Sequence, residues 1–322
     1  MTSIHDIIKT MTDGSAIESV YWVGCGASRS DLYLGYYFLN NESHRIKTSL
    51  HTAKEFVLTE PASLDEHAIV IACSLAGATP ETVEAVSYAR SRGAHVIALT
   101  HEPESALTKD AEKTVVFTWG DTYSSKLDKQ IKVLQLAVEI LHEVEGYELY
   151  DTMTEGLSRI GDLAEETVAA AQKPAAAFAE KYKDTPILYV TSSGPMEQIA
   201  WSFCQCLMME MQHIPSSTFN AGDFFHGPFD MVKENVDYLL LMNDGRTRPM
   251  DERALAFMER FHTNVTVVDV KDFGLTEKMP ARVAEYLNPI IISPTLRIYA
   301  EHIAELRNHP LTYRSYMWKM EY

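Results

Sequence analysis

Short runs of apolar and β-branched residues recur along the first half of the chain, separated by longer stretches with helical spacing. The runs are Ser19 to Val23, Ala68 to Cys73, His95 to Thr100 and Thr114 to Trp119. Runs of this length and composition read as strands. The helix-length stretches between them are the crossovers that parallel strands require. This alternation predicts an α/β lobe built on a doubly wound parallel sheet.

After Gly146 the pattern changes to a long, Ala-rich, amphipathic stretch over 151–183 that contains no strand candidate and reads as a helical connector. Strand-like runs then resume at Ile187 to Thr191, Tyr238 to Met242, Asn264 to Val270 and Pro289 to Ile292. Val20 to Ser28 is answered by Ile187 to Pro195, each an apolar strand running into a small-residue turn before a helix. The expected organisation is therefore two tandem α/β lobes, 1–150 and 184–322, joined by the connector. The 322 residues suffice for a core in each.

Composition narrows the partners. The chain is 46% hydrophobic and 23% charged, with no low-complexity tract, so it is expected to fold nearly throughout. Twenty-eight Lys and Arg against 45 Asp and Glu give a formal charge of −17. Such a field repels phosphate backbones and anionic membranes, so neither nucleic acid nor membrane is expected as a partner. No apolar run approaches the roughly 20 residues of a membrane helix, and the opening residues carry no leader-like pattern. A cytoplasmic location is expected. Cys25, Cys73, Cys204 and Cys206 are too few for a disulfide framework and read as free thiols. Cys204 and Cys206, two apart on a helix, point to different faces and make a poor metal site.

Three hydroxyl-rich loops follow predicted strands of the first lobe. In Gly24-Cys-Gly-Ala-Ser28, two glycines let the backbone turn closely and Ser28 lies near a helix start, an arrangement suited to an anion. A dinucleotide fingerprint fails because its third glycine is missing. In Ser74-Leu-Ala-Gly-Ala-Thr79-Pro80, Ser74, Thr79 and backbone amides can converge on one phosphate at the positive end of a helix. The plainer alternative is a pair of capped helices. Two such loops on adjacent strands nevertheless favour a small phosphate, because local dipoles supply the attraction that net charge denies. The third loop, Asp121 to Lys126, offers Ser124 and Ser125 at the same sheet edge, with a solvated loop as the alternative.

The second lobe supplies titratable groups. Glu210 follows the apolar run Cys204 to Met209, where desolvation would raise a carboxylate toward the range of a general base. His226 stands in Phe224-Phe-His-Gly-Pro228, a rigid apolar turn suited to a proton shuttle. The structural alternatives are a paired glutamate and a histidine satisfied in the core.

These residues resemble the sugar isomerase (SIS) domain proteins over almost the whole chain. The arrangement is similar to the two-lobed isomerase half of glutamine-fructose-6-phosphate aminotransferase. The Cys-Gly-x-Ser loop matches at Cys25 to Ser28, and the Ser-x-Ser-Gly-x-Thr loop at Ser74, Gly77 and Thr79, with Ala76 in place of its middle serine. The family's glutamate and the histidine of its Gly-Glu-x-x-His-Gly-Pro motif match Glu210 and His226, 226 − 210 = 16 residues apart, with Asp223 at the motif's acidic position. The ending Asn308 to Tyr322 resembles the tail of fructosamine-6-phosphate deglycases, and Leu207 replaces the aminotransferase's lysine.

The resemblance implies two SIS lobes and cleavage of a fructose-amino-acid 6-phosphate to glucose 6-phosphate and an amine. It implies substrate binding by Gly26, Ala27, Ser28, Ser74, Leu75, Ala76, Thr79, Ser124, Ser125 and Lys319, with catalysis by Glu210 and His226. It also implies no cofactor or metal, and a homodimer in which His226 reaches the partner's site. The alternatives are an aldose-ketose isomerase of an amino sugar phosphate, and a sugar-phosphate sensor without catalysis. The acidic charge, and a segment before Ser19 too short for a helix-turn-helix, argue against a sensor attached to a DNA-binding domain.

Overall fold

The structure is a computed structural model and describes residues 2–317 and 319–321. The chain divides into two compact units, Met1–Ser158 and Arg159–Tyr322.

The first unit opens with α1 (Ile4–Thr12) and continues through β1 (Ser19–Gly24), α2 (Gly26–Glu42), β2 (Lys47–Thr52), α3 (Ala53–Thr59), β3 (Ala68–Cys73), α4 (Pro80–Ser91), β4 (His95–Thr100), β5 (Lys113–Val116) and α5 (Tyr123–Glu145). The five strands run parallel in the order β2-β1-β3-β4-β5. Every residue of β1 and β3 is buried, as strands covered on both faces must be. Helix α2 approaches β1 so closely that a Cβ on Gly35 would lie 2.4 Å from the Trp22 ring, which explains a glycine in mid-helix. The Trp22 indole N–H is satisfied by Thr48 Oγ1 at 3.0 Å.

Helix α6 (Tyr150–Tyr182) follows, and the division between the units falls within it. The second unit holds β6 (Leu188–Ser192), α7 (Glu197–Ser202), a π-helix over Phe203–Met211, β7 (Ser216–Asn220), β8 (Asp237–Met242), α8 (Arg248–Arg260), β9 (Asn264–Asp269), α9 (Leu275–Lys278) and α10 (Ala281–Leu306). Its four strands are also parallel, in the order β7-β6-β8-β9. This repeats the β2-β1-β3-β4 order of the first unit. The fold is two doubly wound parallel sheets.

Two strands, β2 and β7, escape the sequence reading, and both lie at an edge of their sheet. Edge strands are partly solvated, so Lys47-Thr-Ser-Leu-His-Thr52 and Ser216-Ser-Thr-Phe-Asn220 carry no apolar run. The run Pro289 to Ile292 is a correction in the other direction. It lies inside α10, most of whose residues are buried, and a short apolar run does not distinguish a strand from a helix buried all round. Pro289 and Pro294 each remove a backbone donor from this helix, a cost of roughly 3 kcal/mol apiece in an exposed helix that burial of its apolar surface offsets here.

Candidate active site

In both sheets the strand order reverses direction between two central strands, β1 and β3 in the first, β6 and β8 in the second. Ligands of open α/β sheets bind at the carboxyl ends of such strands. In the first unit Gly24 pairs with Cys73. The Cys25–Ser28 turn and the Ser74–Thr79 loop therefore leave the sheet side by side, about 5 Å apart. Gly26 takes φ +53 to start α2, and the buried Ser28 donates its backbone N–H to Cys25 O at 3.1 Å. The Ser28 hydroxyl hydrogen-bonds the Cys73 thiol, which burial pushes up to about 11.

The Ser74–Thr79 loop is pinned along its length. Ser74 N–H donates to Leu99 O at 3.2 Å, Leu75 O accepts from His101 N–H at 3.0 Å, and Gly77 O from Leu107 N–H at 2.9 Å. The Ser74 and Thr79 hydroxyls meet at 2.9 Å, and Pro80 follows as the first residue of α4. Ala76 is exposed at the loop's crest. This is a preformed turn with two hydroxyls and a helix N-terminus together.

Ser124 and Ser125 lie in the first turn of α5, where Thr122 Oγ1 accepts the Ser125 N–H at 3.2 Å. Strand β4 separates β5 from β3, which alone would hold this loop about 10 Å from the others. Three residues absent from the sequence analysis tie α5 to α2. Lys129 of α5 pairs with Asp31 of α2 at 2.5 Å, almost wholly out of water, and Gln130 donates to the same carboxylate at 2.7 Å. Ser125 stands one turn before Lys129, and Ser28 about one turn before Asp31, so the pair locks the two helix starts together.

In the second unit Glu210 projects from the π-helix, a rare form that clusters at functional sites. Its closing bond runs from Gln212 N–H to Leu207 O at 3.1 Å, five residues back. The apolar run predicts a desolvated carboxylate, with a paired glutamate as the alternative, and the structure gives it a partner. Arg314 Nη2 lies 2.7 Å from Glu210 Oε1, with the Arg314 side chain 8% exposed and that of Glu210 26%. Arg314 Nη1 also donates to Leu311 O at 2.8 Å and Tyr313 O at 2.7 Å.

The segment carrying Arg314 is fastened to the end of the π-helix. Arg307 donates to Gln212 O at 2.5 Å and Gln212 Nε2 to His309 O at 2.8 Å, while the rings of His213, His309 and Tyr313 pack together. Lys319 folds back onto this segment, donating to Arg314 O and lying 5.0 Å over the Tyr313 ring. Glu210 and Lys319 are thus linked through Arg314.

His226 ends a short 3₁₀ turn after β7, where Phe224 is buried and His226 itself exposed. Its backbone N–H donates to Asp223 O at 2.9 Å. Among the described residues its imidazole has neither a hydrogen bond nor an ion pair, and it does not meet Glu210. Asp223 is exposed beside it.

The second unit's own switch point differs chemically from the first. Asn243 donates to Ser193 Oγ at 2.9 Å, Thr247 Oγ1 at 3.0 Å and Asp251 Oδ2 at 2.7 Å, while Arg248 forks onto both Asp269 oxygens at 2.8 and 2.6 Å. Most of these polar groups bond one another, although Asp251 Oδ1 is left without a hydrogen-bond partner among the described residues. The two units share a fold but not a loop chemistry. Among the described residues no group of three or more His, Cys, Asp and Glu is placed to hold a metal ion.

Two hydroxyl loops stand at the switch point of the first parallel sheet, a second sheet repeats its strand order, and residues 16–125 match the SIS domain model. Fructosamine deglycase FrlB of Bacillus subtilis is 36% identical over 309 residues, 96% of this chain and 94% of that protein. A fructoselysine 6-phosphate deglycase of Escherichia coli K12 is 23% identical over 84% of this chain and 78% of its own. A phosphosugar isomerase candidate from Salmonella typhimurium LT2 superposes with a TM-score of 0.96 at 34% identity, covering 100% of this chain and 98% of that one. The C-terminal domain of glucosamine-fructose-6-phosphate aminotransferase from Francisella tularensis, at 15% identity and TM-score 0.77 over 95% and 93% of the two chains, shares the fold. The chain belongs to the SIS-domain fructosamine deglycase family.

Proposed function

We propose that the protein cleaves an amine or amino acid from C1 of fructose 6-phosphate, yielding glucose 6-phosphate. The observation that carries this reading is family membership along nearly the whole chain, with Glu210 and His226 at the family's spacing. The relatives named above as fructosamine and fructoselysine 6-phosphate deglycases support the substrate class.

In this reading Ser28, Ser74 and Thr79, with the backbone of Gly26, Ala27, Leu75 and Ala76, take the phosphate, and Ser124, Ser125 and Lys319 complete the sugar contacts. Glu210 removes a proton from C1, beside the nitrogen. His226 donates a proton to the ring oxygen as the sugar opens. The enaminol then takes a proton at C2, giving an imine at C1, and one water hydrolyses that imine to the aldehyde and the free amine. A carboxylate and an imidazole commonly divide such enolisation steps. No cofactor enters these steps.

The unpartnered, exposed His226 supports a homodimer in which this residue serves the partner's site. A cytoplasmic location is part of the reading, supported by four thiols that are all free, three of them buried.

The test is a panel of fructose-amino-acid 6-phosphates assayed for release of free amino acid. Glu210→Gln and His226→Asn are each expected to lose about 10²- to 10⁴-fold in turnover while unfolding at the wild-type midpoint. Near-normal turnover in either variant contradicts its assigned role.

A further inference from the structure

We propose that Arg314 is the positioning residue of the general base: its guanidinium fixes the Glu210 carboxylate in the orientation that removes the C1 proton. The inference rests on the catalytic reading of Glu210 given above.

Glu210 sits on a π-helix turn whose backbone places its Cα but leaves three side-chain torsions to be fixed by something else. The one ion pair it makes among the described residues is with Arg314, at 2.7 Å from Nη2 to Oε1. Arg314 is itself held more tightly than a surface arginine. It is 8% exposed, and Nη1 is committed to the carbonyls of Leu311 and Tyr313. A planar fork with two directions already used presents the third donor in a fixed direction, which a flexible ammonium does only in part.

The segment that carries Arg314 has other fastenings besides this contact. Arg307 to Gln212, Gln212 to His309, and the packed rings of His213, His309 and Tyr313 already fasten the segment to the end of the π-helix. These clasps act on the backbone and on rings. The Arg314 guanidinium is the group that reaches the carboxylate. A misplacement of a reacting group by about 1 Å can cost about 10²-fold in rate, so a residue that only orients the base belongs to the rate and not to substrate affinity.

The experiment compares wild type, Glu210→Gln, Arg314→Gln and Arg314→Lys on one fructosamine 6-phosphate, with unfolding midpoints measured for each. Arg314→Gln is expected to lower kcat about 10²-fold with KM within about 3-fold of wild type. Arg314→Lys keeps a cation beside Glu210 and is expected to recover about 10-fold of that loss. Wild-type kcat in Arg314→Gln, a defect confined to KM, or a Lys variant as slow as the Gln variant at an unchanged midpoint would each overturn the proposal. If Arg314→Gln unfolds early, Arg314→Lys decides alone: a lowered kcat at unchanged KM supports the inference, and unchanged kcat ends it. The functional reading fails separately. It falls if wild type releases no amine or if Glu210→Gln stays active, whereas a dead Glu210→Gln beside a fully active Arg314→Gln sinks only the role of Arg314.

Discussion

Asp251 is fully buried behind the second unit's switch point, where Oδ2 accepts from the Asn243 backbone and side-chain N–H groups. Its Oδ1 has no hydrogen-bond partner among the described residues. Burial pushes this carboxyl up to about 6, against hydrogen bonds from Ser193 and Asn243 and the charge of Arg248 that act to lower it. A raised carboxyl means that the folded state holds a proton the unfolded chain releases from about pH 3.8 upward. The stability this contributes is present in full below pH 3.8 and is lost as pH rises to about 6. At ~1.4 kcal/mol per pH unit across that interval the change is at most about 3 kcal/mol. Asp251→Asn is expected to flatten the fall of urea-unfolding stability between pH 4 and 6, and an unchanged slope would remove Asp251 as its source.

At this scale the sequence was partly legible. Glu210 and His226 could be named as candidates because sixteen residues of spacing and the His-Gly-Pro signature lie in one stretch of chain. Arg314 was not, because 314 − 210 = 104 residues separate it from its partner and no local pattern links them. Lys129 and Asp31 were hidden in the same way, each sitting in an ordinary amphipathic helix.

Elements buried on both faces announced themselves, as β1, β3, β4 and β8 do through continuous apolar runs. The edge strands did not, and α10 passed for a strand over four of its residues, because burial on every side erases the helical period. The Ser74–Thr79 loop was visible through its glycine and hydroxyls, and the structure adds why the glycine is needed. Gly77 takes φ +60, and a Cβ there would stand 1.9 Å from Ser105 Oγ. Gly77→Ala therefore meets both left-handed backbone cost and a collision, together about 1–3 kcal/mol. The displaced loop is expected to raise KM for the sugar phosphate about 10-fold, the equivalent of ~1.4 kcal/mol, with a smaller effect on kcat. An unchanged KM would mean the loop does not hold the phosphate.

For the whole molecule, two sheets of one topology carry different chemistry. The first gathers the hydroxyls of Ser74 and Thr79 at the start of α4, while the second ties Asn243 to Ser193, Thr247 and Asp251 and carries Glu210 and His226 on elements around its sheet. A chain of formal charge −17 has no general attraction for an anion, so in the proposed reading recognition of a phosphate rests on local dipoles. The central claim is that the molecule breaks a carbon–nitrogen bond by way of enolisation and imine hydrolysis. The most direct measurement is the product balance of wild-type enzyme on a fructose-amino-acid 6-phosphate, with sugar phosphate and amine quantified together. Equal amounts of glucose 6-phosphate and free amino acid are predicted. An isomerised conjugate with no free amine, or fructose 6-phosphate as the sugar product, would contradict it.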